Sequence, residues 1–97
     1  MNFQITNTAS SLEITGEINL HTAPLLLKAL QQHNGAFHIG LLGVSALDNA
    51  GVATLIEAMR LAKKRKVSIG FHHVPWCVHD AWKLAGVSDL FLDKTEA

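Results

Sequence analysis

The chain has 97 residues, of which 48% are hydrophobic, and its eight basic residues balance eight acidic residues to give a formal net charge of zero. This length suits one domain with a hydrophobic core, and this composition excludes a disordered chain. The zero net charge argues against nucleic acid as a partner, because no broad basic field is present to displace counterions from phosphates.

Cysteine content and hydropathy bear on the compartment of the protein. Cys77 is the only cysteine, which excludes an intrachain disulfide and fits a reducing compartment. The first residues lack the charged-then-apolar pattern of a signal peptide. The sequence has no apolar run near the roughly 18 residues of a membrane span. We therefore expect a cytoplasmic protein with no direct membrane insertion.

The first 18 residues predict a β-hairpin. Phe3 and Ile5 alternate with polar neighbours, a turn is expected at residues 7–10, and the alternation resumes over residues 12–18. Gly16 lies inside the second of these segments, where a glycine favours a kink or a bulge.

A helix and a buried strand follow the hairpin. Thr22 is the predicted N-cap, and Pro24 falls in the first turn, where its missing N–H group costs nothing. Asn34 and Gly35 tolerate the left-handed conformation and predict the end of this helix. The glycine-bounded apolar run 36–42 is too short for a stable helix and indicates a buried strand.

The central stretch, residues 44–55, predicts a junction between a strand and a second helix. Asp48 or Asn49 can cap the helix, and Gly51 allows another backbone to approach its first turn. Asn49 is expected to point outward from the mildly positive helix N-terminus. The predicted buried stripe is Val52, Leu55, Ile56, Met59 and Ala62. The residues expected on the outer side are Thr54, Ala58 and Leu61.

The last third of the chain predicts one more strand and one more helix. Alternation over residues 67–71 indicates the strand, and Pro75 opens the helix. A final turn is expected to pack back onto the domain through Leu90 and Phe91, and the polar tail from Asp93 is expected to fray. The predicted buried stripe of the helix is Val78, Ala81, Trp82 and Ala85.

Two features could carry chemistry, and neither indicates an active site. The basic run Lys63–Lys66 is typical of a solvated helix C-terminus, although a phosphate or membrane contact stays open, as does a role for Trp76. His72 and His73 are adjacent in a predicted strand, so they point to opposite faces and cannot chelate one metal ion. The six histidines show no ligand spacing, and no nucleophile–base motif is present. We expect no metal, no cofactor and no catalytic residue.

The order of these elements defines the expected fold class. Strands that alternate with helices predict an α/β domain with a mixed, mostly parallel sheet. The N-terminal hairpin supplies its antiparallel pair, and α-helices pack on the sheet. Because we find neither a repeat nor a linker, residues 1–97 are expected to form a single domain, with a polar tail from about residue 93.

Three segments together resemble the STAS domain, a family named for sulfate transporters and anti-sigma factor antagonists. The segments are residues 16–24, 44–55 and 78–91, and the resemblance runs from about Leu12 to Phe91. It implies a non-enzymatic regulatory module that binds a partner protein through the junction at residues 48–51. The residues implied in partner binding or switching are Asn19, Leu20, His21, Asp48, Asn49, Ala50 and Gly51. The outer side of the helix adds Thr54, Ala58 and Leu61, because Ala58 and Leu61 make it less polar than a solvated helix needs.

Two positions depart from the family pattern. Asn19 stands where the family's Gly-Glu-Leu-Asp motif has its aspartate, and Asn49 stands where antagonists carry the Ser or Thr that accepts a phosphoryl group. An amide cannot accept a phosphoryl group, so position 49 corresponds to the phosphoacceptor site but cannot be phosphorylated. The departures argue against the usual phospho-switch and leave docking of a partner intact.

The resemblance leaves two partners open. The favoured reading is an MlaB-type subunit, which binds the ATPase subunit of a bacterial Mla phospholipid ABC transporter on the cytoplasmic side of the inner membrane. The segment 61–64, the short length and the missing acceptor hydroxyl fit that reading. The alternative is an anti-sigma factor antagonist that binds an anti-sigma kinase. A small-ligand or nucleotide-binding module is a further alternative, supported only by the helix N-terminus at Asn49, and a homodimer stays open.

Overall fold

A computed structural model describes residues 3–8 and 11–96. In these residues the chain forms a mixed sheet with helices between its parallel strands. In chain order the elements are β1 (Gln4–Asn7), β2 (Leu12–Ile18), α1 (Ala23–Gln32), β3 (Phe37–Leu47), α2 (Asn49–Arg65), β4 (Ile69–His72), α3 (Trp76–Leu84), α4 (Ser88–Leu92) and β5 (Thr95–Glu96).

The sheet has the strand order β1-β2-β3-β4-β5. Strands β1 and β2 are antiparallel, and every other neighbouring pair is parallel. This arrangement confirms the predicted hairpin and the predicted mixed, mostly parallel sheet. The pairing of β2 with β3 shifts register next to Gly16, whose φ of 92° is left-handed, so the irregularity expected at that glycine is present.

One face of the sheet carries the hydrophobic core. Along β2, Leu12, Ile14 and Ile18 are buried, whereas Glu13 and Glu17 between them are exposed. The buried side chains of the helices join the same cluster as those of the strands. The helices therefore cover one face, and the alternate residues of β2 lie on the open face.

Three aromatic rings fasten α3 and α4 to β4. Trp82 and Phe91 stack with their ring centroids 4.0 Å apart and their planes 4° apart. Phe71 meets both rings edge-on, at 5.8 and 5.4 Å. Such edge-to-face and stacked pairs contribute on the order of 1 kcal/mol each beyond the area that they bury. They explain why so short a helix as α4 holds its position.

Several boundaries differ from the expectations. Strand β3 continues to Leu47, because its second half pairs with β2 as far as Ile18. Ala85 is exposed rather than buried, since α3 ends at Leu84 and the chain turns at Gly86. Leu90 is 53% exposed, because the one buried side of α4 is taken by Phe91.

The expectation that the polar tail frays is wrong for its described part. The backbone N–H of Phe71 donates to the carbonyl oxygen of Lys94 at 2.6 Å, and Thr95 pairs with Phe71 in parallel register. An outer strand such as β4 leaves unpaired backbone groups, and a short added strand satisfies them. The tail therefore forms β5.

Candidate functional site

The junction between β3 and α2 is built by a single cap residue. The carboxylate of Asp48 accepts a hydrogen bond from the backbone N–H of Gly51 at 3.0 Å, and its carbonyl oxygen accepts one from Val52 at 2.9 Å. Asp48 is therefore the N-cap, which decides between the two candidates left open by the sequence. Asn49 becomes the first helical residue, and its side chain is exposed.

The end of β2 locks this junction in place. The carbonyl oxygen of Ile18 accepts a hydrogen bond from the N–H of Asp48 at 3.1 Å. A β-carbon at Gly51 would lie 2.7 Å from that same oxygen and 2.9 Å from Cγ2 of Ile18. Only glycine allows so close an approach, as the sequence predicted for this position. The start of α2 and the end of β2 thus form one rigid unit.

The loop after β2 is held by its own side chains. Asn19 accepts hydrogen bonds through Oδ1 from the N–H groups of His21 and Thr22, at 2.9 and 3.1 Å. The hydroxyl of Thr22 donates to the carbonyl oxygen of Glu17 and accepts from the N–H of Asn19, both at 2.8 Å. The amide of Asn19 therefore orders the loop, while Leu20 and His21 are exposed beside the junction.

The expectation that Thr54, Ala58 and Leu61 lie on the outer side of α2 is wrong for two of the three residues. Ala58 is 0% exposed and Thr54 is 8% exposed, and Leu61 is half-buried and packs against the core. The reason is position: α2 lies between α1 and α3, so its buried arc is wider than one stripe. The hydroxyl of Thr54 donates to the carbonyl oxygen of Ala50 at 2.9 Å, which satisfies it inside the helix.

Trp76 is a candidate site residue whose role the sequence leaves open. It is 79% exposed at the first position of α3, and the neighbouring Cys77 thiol donates to the carbonyl oxygen of Val44 at 3.4 Å. That contact fastens the first turn of α3 to β3. The helical period predicts that Trp76 is exposed, because this residue lies off the buried stripe that contains Val78 and Trp82.

Three exposed positions share one edge of the sheet. Leu20 follows β2, Asn49 follows β3 and Trp76 follows β4, and these are adjacent parallel strands. Because the carboxyl ends of parallel strands meet at one edge, the three lie on the same side of the domain. We name Leu20, His21, Asn49, Ala50 and Trp76 the carboxyl-edge surface. Leu20 and Trp76 make it apolar at two points, with an amide between them.

The histidines form one pair that the sequence did not predict. Nε2 of His72 and Nδ1 of His38 lie 3.4 Å apart on neighbouring strands. His73 lies beyond β4 with a φ of 53°, so the assumption that both adjacent histidines belong to the strand is wrong. Across residues 3–8 and 11–96, three or more His, Cys, Asp or Glu side chains do not converge into a metal-binding group.

The basic residues at the end of α2 have different surroundings. Arg65 donates through Nη1 to the carbonyl oxygen of His33 and through Nη2 to that of Gln31, both at 2.7 Å. Those are end groups of α1, so Arg65 caps a neighbouring helix. Lys64 and Lys66 are exposed, as expected of a solvated helix end. Within the described part of the chain, we find no helix both long and apolar enough to cross a membrane.

A protein-family model described as "Mlab, STAS domain" matches residues 1–93, nearly the whole chain. The chain belongs to the STAS domain family. The match confirms the resemblance found in the three sequence segments. A search of curated proteins gives no significant match.

Solved STAS structures share the fold at low sequence identity. The anti-sigma factor antagonist SpoIIAA in its unphosphorylated form matches with a TM-score of 0.70 and 16% identity, over 98% of this chain and 86% of that one. A sulfate transporter family protein from Wolinella succinogenes matches at 0.74 and 19%, over 89% and 74%. An anti-sigma factor antagonist from Mycobacterium paratuberculosis matches at 0.67 and 20%, over 93% and 81%. These likenesses confirm the STAS fold.

Proposed function

We propose that this STAS domain is a non-enzymatic module that binds the ATPase subunit of an Mla-type phospholipid ABC transporter. The carboxyl-edge surface is the proposed docking site. The observation that carries the proposal is the structure of this surface. Asn49 is exposed on a helix start that backbone contacts hold in place, and it lies between the exposed side chains of Leu20 and Trp76. Rigid presentation of an aromatic anchor is typical of protein–protein hot spots. The description of the matching family model supports this transporter partner.

Position 49 favours constitutive binding over a phosphate-controlled switch. Asn49 has no hydroxyl, so a phosphoryl group cannot be added there. A phosphoryl group would add roughly two negative charges at position 49, and because Asn49 cannot accept one, the partner always meets the helix start without that added charge. A subunit that stays in a complex needs no release signal. On this proposal the protein is cytoplasmic and reaches the inner membrane only through the transporter.

An anti-sigma kinase is the second candidate partner. Two of the similar solved structures are anti-sigma factor antagonists, which supports this candidate through the shared fold alone. The missing acceptor hydroxyl argues against it, since such a switch depends on phosphorylation. A nucleotide-binding role has less support: the helix N-terminus at Asn49 has no glycine-rich loop or lysine beside it.

Co-purification with candidate partners tests the proposal. The tagged protein is co-expressed in turn with the Mla-type ATPase subunit and with an anti-sigma kinase of the same organism. We expect a stable complex with the ATPase, and at least a tenfold loss of affinity for Asn49→Arg and for Trp76→Ala. Leu84→Ala is the matched control, because Leu84 is 82% exposed at the opposite end of α3. Its affinity should equal that of the parent.

Two outcomes would contradict the proposed function. A complex with the kinase alone would indicate that the anti-sigma kinase, and not the ATPase subunit, is the partner. A complex with the ATPase that both edge variants leave intact would place the docking surface elsewhere. Thermal unfolding of each variant serves as the folding control, since exposed substitutions usually change stability by less than about 0.5 kcal/mol.

A further inference from the structure

A second surface lies at the opposite edge of the sheet, along the C-terminal half of α2. Two adjoining depressions there share Met59 and Lys63 as lining residues. The larger has a volume of about 370 Å³ and reaches Ile69 and Lys94, and the smaller has about 240 Å³ and reaches Leu90. Because the two share lining residues, they lie side by side, and we name them together the α2–α4 groove.

The floor of the α2–α4 groove is apolar and supported from beneath. Ile56, Met59 and Ile69 are half-buried and pack against the core, so each offers part of its side chain to the groove. Leu90 is 53% exposed, and its neighbour Phe91 anchors α4 in the aromatic cluster. Exposed apolar side chains that are contiguous and firmly backed mark docking surfaces more often than scattered ones do.

The rim of the groove is cationic. Arg60, Lys63 and Lys94 all line it. Glu57 neutralises Arg60 through an ion pair of 2.8 Å. Among the side chains that the structure describes, neither Lys63 nor Lys94 has an ion-pair partner. Because the whole chain has zero net charge, this local excess of positive charge makes the groove favour acidic side chains.

We propose that the α2–α4 groove binds an acidic amphipathic helix of a partner protein. Its apolar face would lie on Met59 and Leu90, and its carboxylates would face Lys63 and Lys94. The choice of occupant rests on charge complementarity, since an apolar floor with unpaired ammonium groups matches apolar and acidic side chains together. Along α2 the groove runs from Ile56 to Lys63, or about 10 Å at 1.5 Å per residue, so it accommodates about two helical turns.

This second surface is independent of the proposed function at the carboxyl edge. The groove borders the start of β4, whereas the carboxyl-edge surface follows the ends of β2, β3 and β4. Helix α2 runs from one to the other, with Asn49 at its first position and Lys63 near its last turn. A domain with both surfaces can hold two protein segments at the same time.

Peptide display with a matched charge control tests the proposal. A library of random 16-residue peptides is selected on the parent protein and counter-selected on the double variant Lys63→Glu, Leu90→Glu. We expect the enriched peptides to carry apolar residues at helical spacing next to Asp or Glu. The affinity of an enriched peptide, measured by fluorescence anisotropy, should fall at least tenfold for Lys63→Glu. It should stay unchanged for Lys64→Glu, which makes the same charge change on an exposed neighbour outside the groove.

Five outcomes would overturn the proposal, of which the first four concern the peptides and a second copy of the chain. These four are the absence of enrichment, the enrichment of peptides without acidic residues, an equal loss of affinity for Lys64→Glu, and a homodimer that Leu90→Glu dissociates in sedimentation experiments. The last result would make a second copy the occupant. Binding to phosphatidylglycerol vesicles that depends on Lys63 would likewise contradict a protein occupant. Because Leu90 and Lys63 are exposed, their variants should fold, and a thermal scan checks this.

Discussion

The two ends of helix α2 are held by different kinds of contact. At its start, Asp48 accepts hydrogen bonds from the N–H groups of Gly51 and Val52, and the carbonyl oxygen of Ile18 lies close against Gly51. At its end, the exposed side chain of Arg65 reaches across to the last carbonyl groups of α1. Lys66 then ends the helix in a left-handed conformation. The start of α2 is fixed against β2 by backbone contacts, whereas its end is fixed against α1 by one long side chain.

This difference indicates how each end can be used. A backbone contact cannot yield, so the start of α2 presents Asn49 in a fixed position, as rigid docking requires. The contact at the end of α2 is made by one flexible side chain, so it constrains the helix less tightly than a backbone contact does. We therefore expect a substitution that disturbs the backbone contact at Gly51 to cost more stability than any substitution at the end of α2.

Gly51→Val should have the largest effect. A β-carbon at position 51 meets the carbonyl oxygen of Ile18 at 2.7 Å, and two more methyl groups add to the collision. Overpacking of this kind lowers the free energy of unfolding by about 2–3 kcal/mol. Urea unfolding measures the loss. Ala53→Val is the matched control, because Ala53 is exposed on the same turn and loses only the helix propensity of about 0.6 kcal/mol. Equal losses in the two variants would show that the close approach does not constrain the junction.

Arg65→Ala should have the next largest effect. It removes two N–H donors, each 2.7 Å from a carbonyl oxygen at the end of α1, and we expect a loss of about 1–1.5 kcal/mol in the free energy of unfolding. Arg65→Lys should recover only part of the loss, since an ammonium group cannot donate to both oxygens as a planar guanidinium does. Lys64→Ala is the control and should fall within about 0.5 kcal/mol of the parent. Full recovery by lysine would mean that charge alone, rather than the paired geometry, joins the helices.

Asp48→Ala should cost about 1 kcal/mol, the usual value of a lost N-cap. The substitution leaves the N–H of Gly51 without the carboxylate that it now donates to. Asp48→Asn keeps an oxygen acceptor at the same place and should retain most of the stability. Thermal unfolding of the two variants side by side gives the comparison. If asparagine proved as costly as alanine, the charge of Asp48 near the helix dipole would be the larger contribution.

The same comparison explains which parts of the fold could be predicted from the sequence. The start of α2 was predictable because its signals are local: Asp48 and Gly51 stand three residues apart, and a periodic apolar pattern follows them. The end of α2 was not, because Arg65 binds carbonyl groups more than thirty positions earlier in the chain. Lys66 in the left-handed region gives no sequence signal, since glycine is the usual residue there.

The errors in the candidate site have a related cause. Ala58 was placed outside because the helical period describes one buried stripe, and it carries no information on how many neighbours a helix has. Burial on a second side by α1 is a property of the assembled fold. In the same way, β5 depends on the unpaired backbone of β4, which Thr95 alone does not reveal. Exposure of Trp76, by contrast, follows from the period and could have been predicted.

Lys66→Gly should have the smallest effect and the opposite sign. Lys66 has a φ of 58°, and its N–H group donates to the carbonyl oxygens of Ala62 and Lys63 to close the helix. A left-handed residue with a β-carbon costs about 1–2 kcal/mol, which glycine avoids, although glycine loses more chain entropy on folding. The net gain should be about 0.5–1 kcal/mol in the free energy of unfolding. Lys64→Gly is the matched control inside the helix and should lose about 1 kcal/mol, so the two glycine variants should move the urea midpoint in opposite directions. If both variants lowered the midpoint, the stabilisation from the Lys66 charge at the helix end would have to exceed the free-energy cost of its left-handed backbone.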